Sequence, residues 1–269
     1  MAVRNIASKW LKHEALRRSP ALAPYMPETV RLTRDNLERM LDRYGMVYVK
    51  PVFGALGIGV MRADKRGRGL VCRWGLKRKA CPSLSEGYAY ILKITKGKPY
   101  MVQRGIWLAR YRGRPFDIRV MVQRLPRKPW KMTGMAGRVA APGKIVTNGS
   151  QGGTIYPVSM LIPRHTEKRI HRLSMMAARR LHEVFPGLVQ IGLDVAVDRD
   201  RRLWIIEANT YPDPCPFTKL PSLSALRRIL RYQRAWGIRR PLKCLKARRG
   251  VPGSAGGNRR SRQIQGHVT

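Results

Sequence analysis

Three oxygen-bearing side chains stand close together in a chain that is poor in acids, 15 Asp and Glu against 55 Lys and Arg. Asp194 sits inside an apolar alternation, on the face opposite Ile191, Leu193, Val195 and Val197. Glu207 ends the next such run, and Asn209 lies two residues on. Side chains two apart in an extended chain share a face. A hairpin turning at Asp198-Arg199-Asp200-Arg201 would therefore bring Asp194, Glu207 and Asn209 together. Hard oxygen donors of this kind suit Mg²⁺ (or Mn²⁺), completed by water and phosphate oxygens. The competing reading is a salt bridge from Asp194 or Glu207 to one of the many arginines.

Three further segments carry chemistry. Lys50 ends a strand-like run and is followed by a loop holding Gly54, Gly57 and Gly59. Glycines let backbone N–H groups approach phosphate oxygens, and the lysine adds positive charge. A Walker loop would need Gly-Lys-Ser/Thr opening a helix; here another apolar run follows, so the loop reads as a flap, or else as an ordinary glycine hairpin. Phe116-Asp117-Ile118-Arg119 opens a strand that puts Asp117 and Arg119 on one face, with Arg138 near the end of the next. Paired arginines beside a metal site neutralise a transferring phosphoryl group or hold a carboxylate. Thr147-Asn148-Gly149-Ser150-Gln151-Gly152-Gly153 is a bare turn or a loop presenting amides and Asn148 to an anion.

The elements that must position these groups are mixed α+β. A helix is expected over 6–18, with Ile6, Trp10, Leu11 and Leu16 as its apolar face, before Pro20, Pro24 and Pro27 break it. Thr33 caps a second helix with Leu37, Met40, Leu41 and Tyr44 inward, and Gly45 ends it. Strands are expected at 46–50, 100–103, 117–125, 131–140, 189–198 and 203–207. Helices are expected at 167–185, with Ile170, Leu173, Met176, Ala177, Leu181 and Val184 on one face, and at about 222–236. Residues 237–269 hold nine Lys or Arg and no acid, a composition expected to be disordered.

Composition bounds the rest. With 269 residues, 43% of them hydrophobic, the chain is long enough for one domain or two joined lobes. The net charge of +40 attracts polyanions, or else simply solubilises the surface. Aromatics make up 7% and no stacking motif or zinc module occurs, which argues against a nucleic-acid partner. No apolar stretch reaches the roughly 20 residues of a membrane span, and the basic start lacks a signal-peptide core, so a cytoplasmic location is expected. Cys72, Cys81, Cys215 and Cys244 lie far apart and are expected to be reduced. The five histidines form no metal array.

Taken in order, Val49–Val60, Gln103–Ile106, Asp117–Arg119, Thr147–Gly153 and Ile191–Pro212 resemble the ATP-grasp superfamily, and in detail its spore-coat-associated YheC/YheD family, over about residues 5–235. The resemblance implies two α+β lobes clamping ATP, at 1–100 and 101–236, followed by the basic tail at 237–269. It implies that Lys50 contacts the ATP phosphates or the adenine edge beneath the Gly54–Gly59 loop. Lys9, in Ser8-Lys9-Trp10, looks like the other ATP-contacting lysine, and Gln103-Arg104-Gly105-Ile106 like the adenine hinge, marking Gln103, Gly105 and Ile106. Asp194, Glu207 and Asn209 match the metal ligands, and Arg119 and Arg138 the arginines flanking phosphoryl transfer.

The implied chemistry is ligation of a small-molecule or peptide carboxylate to an amine through an acyl phosphate, using ATP and Mg²⁺ (or Mn²⁺). Family ligases usually carry a further α/β domain before the first lysine, and Lys9 comes too early for one. Hence the alternative: a non-catalytic spore-coat-associated or polyanion-binding protein that keeps the fold and binds an anionic polymer through the tail.

Overall fold

The computed structural model describes residues 4–250 apart from 148, 240, 243 and 245. In chain order its elements are α1 (Lys9–Arg17), β1 (Thr29–Arg31), α2 (Arg34–Tyr44), β2 (Met46–Pro51), β3 (Met61–Arg66), β4 (Gly69–Trp74), β5 (Lys77–Cys81), α3 (Leu84–Thr95), β6 (Tyr100–Arg104), β7 (Arg110–Tyr111), β8 (Arg114–Gln123), β9 (Lys131–Val139), β10 (Thr154–Tyr156), α4 (Arg164–Val184), β11 (Gln190–Val197), β12 (Leu203–Asn209), α5 (Ser224–Arg234) and β13 (Arg248–Arg249). The strands form a six-stranded sheet ordered β1-β6-β2-β3-β4-β5 and a seven-stranded sheet ordered β12-β11-β8-β9-β10-β13 with β7 on β8. The architecture is mixed α+β, as expected, with two separate sheets.

The first sheet packs on α2 and α3. The Thr33 hydroxyl accepts from the Asn36 N–H at the start of α2, and Gly45 closes the helix in the left-handed conformation. Leu37, Met40 and Leu41 then bury against Val47, Val49, Met61 and Val102. Helix α3 begins in a capping box: the Glu86 N–H donates to the Ser83 hydroxyl, which in turn donates to the Glu86 carboxylate.

The second sheet is covered on both faces. Phe116, Ile118, Val120 and Val122 meet Ile170, Leu173, Ala177 and Leu181 of α4. Met121 and Ala136, on the other face, meet Phe217 and Ile229. Strand β11 is buried at every residue, and its Ile191, Leu193, Val195 and Val197 join the α4 side. On the opposite face Gln190 accepts from Gln233 of α5, Gly192 packs against Pro212, and Asp194 turns into the space between the sheets.

Three expectations are corrected. Leu11 is exposed, and α1 buries Lys9, Lys12, His13, Ala15 and Leu16 instead; the helix packs against β12 and α4, whose surface selects a different stripe. Cys215 and Cys244 are joined in a disulfide, because the chain after α5 returns to the short helix at Cys215–Lys219; this removes the cysteine argument for a reducing compartment, while Cys72 and Cys81 stay free and buried. The stretch from 237, expected to be disordered, is placed in part: Arg248 and Arg249 pair in parallel with Thr154 and Ile155. Residues 251–269 of the expected tail lie outside the described residues.

Candidate functional site

The register of β11 on β12 sets the site. Asp194 lies opposite Glu207, and Gly192 opposite Asn209, so all three oxygen-bearing residues stand on one face of the hairpin. The turn is fixed by Asp198, whose Oδ1 accepts from the N–H groups of Asp200 and Arg202 and whose Oδ2 accepts from the Trp204 indole. Glycine at 192 is required by close packing, since a Cβ there would sit 2.5 Å from the Pro212 side chain.

Asp194 is not free. Arg119 is its register partner on β8 and donates from Nε to Oδ1 at 2.6 Å and from Nη2 to Oδ2 at 3.2 Å. Arg138 reaches Asp194 Oδ2 at 2.9 Å. Arg138 is also the register partner of Asp117, donating to both its oxygens at 2.7 and 2.6 Å. The Thr147 hydroxyl donates to Asp117 Oδ2 at 2.6 Å. Two carboxylates and two guanidiniums thus form a buried, formally neutral quartet. Burial opposes the charge on Asp194, but Arg119 and Arg138 overrule it and hold the carboxyl at about 2. Burial also opposes the charge on Arg138, and Asp117 and Asp194 more than offset it.

Glu207 escapes the arginines; its nearest cation is Lys9 Nζ at 3.6 Å. Lys9 opens α1, where the Ser8 hydroxyl caps the helix. Its N–H donates to the Val52 carbonyl at 2.8 Å, and its ammonium donates to the Gly54 carbonyl, so it ties α1, the loop after β2 and Glu207 together. Lys50 donates to Gln103 Oε1 at 2.5 Å, and the Gln103 amide donates on to Thr29. Burial lowers the Lys50 ammonium to about 8, helped by the charge of Lys9 and opposed by that of Glu207. Gly54, Gly57 and Gly59 all take positive φ. At Gly59 a Cβ would also meet the Tyr100 hydroxyl at 2.7 Å.

Between the two sheets runs a cleft of about 780 Å³, counting the space that opens to solvent, within the usual size of a small-molecule site. Of the expected residues it gathers Lys9, Lys50, Gly57, Gln103, Ile106, Arg138, Asp194 and Glu207 on its walls. Gly54, Gly59, Gly105, Arg119 and Asn209 do not line it, and Arg119 reaches it only through Asp194. Asn148 lies outside the described residues. Gly105 fits beneath Met46, whose sulfur would be 1.8 Å from a Cβ there, and so lets the hinge segment leave β6.

Sequence reasoning gave no role to Asp117, Thr147, Tyr48 or Arg104, all of which line the cleft. For Asp117 the signal was its two-residue spacing from Arg119; nothing local marks Tyr48.

The donor set fits a hard divalent cation. Glu207 carries no arginine, and a carboxylate has about four lone-pair directions, of which Asp194 gives three to guanidinium N–H groups. The described residues hold no cluster of three His, Cys, Asp or Glu. An ion here would therefore take two carboxylates and an amide, with water and phosphate completing the shell.

The chain is 26% identical to the endospore coat-associated protein YheD of Bacillus subtilis strain 168 over 217 residues, covering 76% of this chain and 48% of that one. It is 22% identical to YheC of the same organism, over 78% of this chain and 61% of the relative. It thus spans about half of one curated relative and three fifths of the other. Among solved structures, carboxyaminoimidazole ribonucleotide synthase from Aspergillus clavatus complexed with ATP superposes with a TM-score of 0.57 at 14% identity, covering 91% of this chain and 55% of that one. VanG D-Ala:D-Ser ligase from Enterococcus faecalis gives 0.52 at 16% identity, over 83% and 57%. These two likenesses establish the fold. The sequence model of the YheC/D-like ATP-grasp family matches residues 2–235, and the chain belongs to that family.

Proposed function

We propose that the cleft binds Mg–ATP and that the protein is an ATP-dependent carboxylate–amine ligase. The observation that carries this reading is the meeting, in one cleft between the two sheets, of Lys9 and Lys50 with the Asp194–Glu207 face. In this reading the two sheets are the two lobes, but they do not divide at residue 100: the first sheet includes β6 to Arg104, α1 packs into the core of the second, and the second sheet includes β13.

In this reading the backbone at Gln103–Ile106 receives the adenine, Lys50 and Lys9 hold phosphate oxygens, and the amides of the Gly54–Gly59 loop close over them. Asp194, Glu207 and Asn209 would hold Mg²⁺ (or Mn²⁺), which supplies neutralising charge to the phosphates when bound. Asp117 and Thr147 keep the Arg138 guanidinium on the cleft wall, where it meets negative charge developing on the transferred group. A substrate carboxylate oxygen attacks the γ-phosphorus and ADP leaves; an amine nitrogen then displaces phosphate from the acyl phosphate and loses a proton. YheD and YheC are named endospore coat-associated, so we place the protein with the spore coat on the strength of those names.

The net charge of +40 supports one other reading, a coat-associated protein that keeps the fold and binds a polyanion without turnover. A screen of amino acids, peptides and cell-envelope precursors with Mg–ATP separates the two, read by phosphate release and product mass. A new amide product supports ligation. ATP binding without phosphate release under any acceptor would favour the second reading.

A further inference from the structure

Beyond the cleft, large apolar side chains gather at its rim. Leu76 is 74% exposed, Ile58 67%, Phe53 55% and Trp74 37%. They come from two neighbouring turns. Phe53 and Ile58 belong to the loop between β2 and β3, and Trp74 and Leu76 to the turn between β4 and β5. The register Met61↔Trp74 sets the second turn beside the residue where the first loop ends. Both lean on the connection between β9 and β10: Leu76 packs 3.8 Å from where a Cβ on Gly143 would stand, and the Gln151 amide donates to the Leu56 carbonyl at 3.4 Å.

Closing the loop over a nucleotide would account for Ile58, which lines the cleft, but not for Phe53, Trp74 and Leu76, which do not. Monomeric proteins rarely leave such a cluster in water without a partner for it.

The surroundings are cationic. Lys77, Arg78 and Lys79 are exposed in succession on β5. The nearby acid, Asp64, is engaged by Arg62 and Arg73, and no ion pair to Lys77, Arg78 or Lys79 occurs among the described residues. Edge-strand lysines alone would read as protection against strand pairing. That purpose does not call for Trp74 and Leu76 at the tip of the same hairpin. Apolar tips flanked by cations, here with the Lys77 ammonium 5.8 Å from the centre of the Trp74 ring, are an arrangement that lets a protein seat on an anionic bilayer, with the apolar groups entering the headgroup boundary and the cations meeting lipid phosphates.

We infer that the rim formed by Phe53, Ile58, Trp74 and Leu76, with Lys77, Arg78 and Lys79 beside it, docks on an anionic lipid surface. A linear polyanion would use the cations and leave the apolar tips in water. A protein partner would leave the chain unable to float with either kind of vesicle. The inference does not depend on ligation, since docking requires neither nucleotide nor turnover.

The test is flotation of the full chain with vesicles of phosphatidylcholine alone or mixed equally with phosphatidylglycerol, at moderate salt and without ATP. The full chain should float with the mixed vesicles and not with the neutral ones. Leu76→Ser and Phe53→Ser should each lower partitioning about tenfold, as expected for withdrawing one large apolar side chain from the boundary. Lys77→Glu should lower it at least about fivefold, the loss expected for one cation. Trp74 should give a blue shift in emission on vesicle binding that Trp74→Phe lacks. Because the substituted side chains are exposed, unchanged circular dichroism melting of Leu76→Ser serves as the folding control. Equal binding to neutral vesicles would overturn the inference, as would full-strength binding by both serine variants. So would tight binding of long-chain polyphosphate with no vesicle binding and no shift at Trp74.

Discussion

Replacing Asp117 by Asn puts the buried quartet to a quantitative test. Asp117 is 1% exposed and Arg138 2%, and the carboxylate takes both Arg138 bonds together with the Thr147 hydroxyl. Asn keeps the size and one acceptor but removes the charge, leaving two guanidiniums to share the single carboxylate of Asp194. Breaking a buried ion pair from one side costs about 3–5 kcal/mol, because the surviving charge stays desolvated. For a protein of this length, about 2–4 °C of melting temperature goes with each kcal/mol, so Asp117→Asn should melt roughly 6–20 °C below the parent, a product of those two ranges. Differential scanning calorimetry without nucleotide reads this directly. The double variant Asp117→Leu with Arg138→Met removes both charges and should recover most of the loss, since apolar replacements of a buried pair are often neutral or better. A drop below about 2 °C in the single variant, or a double variant no better than the single, would refute the claim that these charges are buried against each other.

Lys50 gives a pH test. Its free ammonium sits at about 8, and phosphate beside it should raise that value, so ATP affinity should be level below pH 8 and fall by up to about tenfold per unit above it. Without nucleotide the sign reverses: the unfolded chain keeps these protons up to the ordinary lysine value of 10.5, so stability should rise between about pH 8 and 10.5, and Lys50→Met should flatten the ATP slope while only reducing the stability slope, because Lys12 is lowered to about 8 as well. Gly192→Ala must displace Pro212, and overpacking of this kind costs about 1–3 kcal/mol, read by urea unfolding. Replacing Cys215 and Cys244 with Ala opens a crosslink spanning 29 residues, which should cost about 3–4 kcal/mol by chain entropy; an unchanged unfolding midpoint would mean that the crosslink adds nothing.

Much of this architecture was legible because local and tertiary demands agree. Thr33 and Gly45 punctuate α2 with side-chain and backbone chemistry that needs no distant partner. The alternation around Asp194 survives because one face of β11 is wholly apolar toward α4, and the other carries Gln190, Gly192 and Asp194 away from it. Where the two demands part, sequence reasoning fails. Leu11 follows the helical period, yet the surface α1 meets prefers Lys12 and His13, and burial lowers those side chains to about 8 and about 4. The hairpin of β4 and β5 went unread, because Lys77, Arg78 and Lys79 are exposed and show no apolar alternation. The closure of Cys215 on Cys244 depends on where α5 returns the chain, which spacing does not encode.

The site divides in the same way. Glu207 and Asn209 share a face by a period-two count, but Glu207 comes opposite Asp194 only through a register shift between Asp194 and Val195, since unbroken alternation would leave it beside Leu203 and Ile205 on the α4 side. The arginine pairing depends on which strands neighbour one another: β8 lies between β11 and β9, and only that order sets Arg119 against Asp194 and Arg138 against Asp117.

Titration calorimetry of ATP into the full chain, with Mg²⁺ and again with excess chelator, addresses the central claim most directly when parent and Glu207→Gln are compared. Glu207 belongs to the metal face without belonging to the buried quartet, so its loss should leave the fold intact. Saturable binding by the parent that needs Mg²⁺, together with at least about tenfold weaker binding by Glu207→Gln, is the predicted result. Nucleotide binding that ignores both the metal and the substitution would contradict the account.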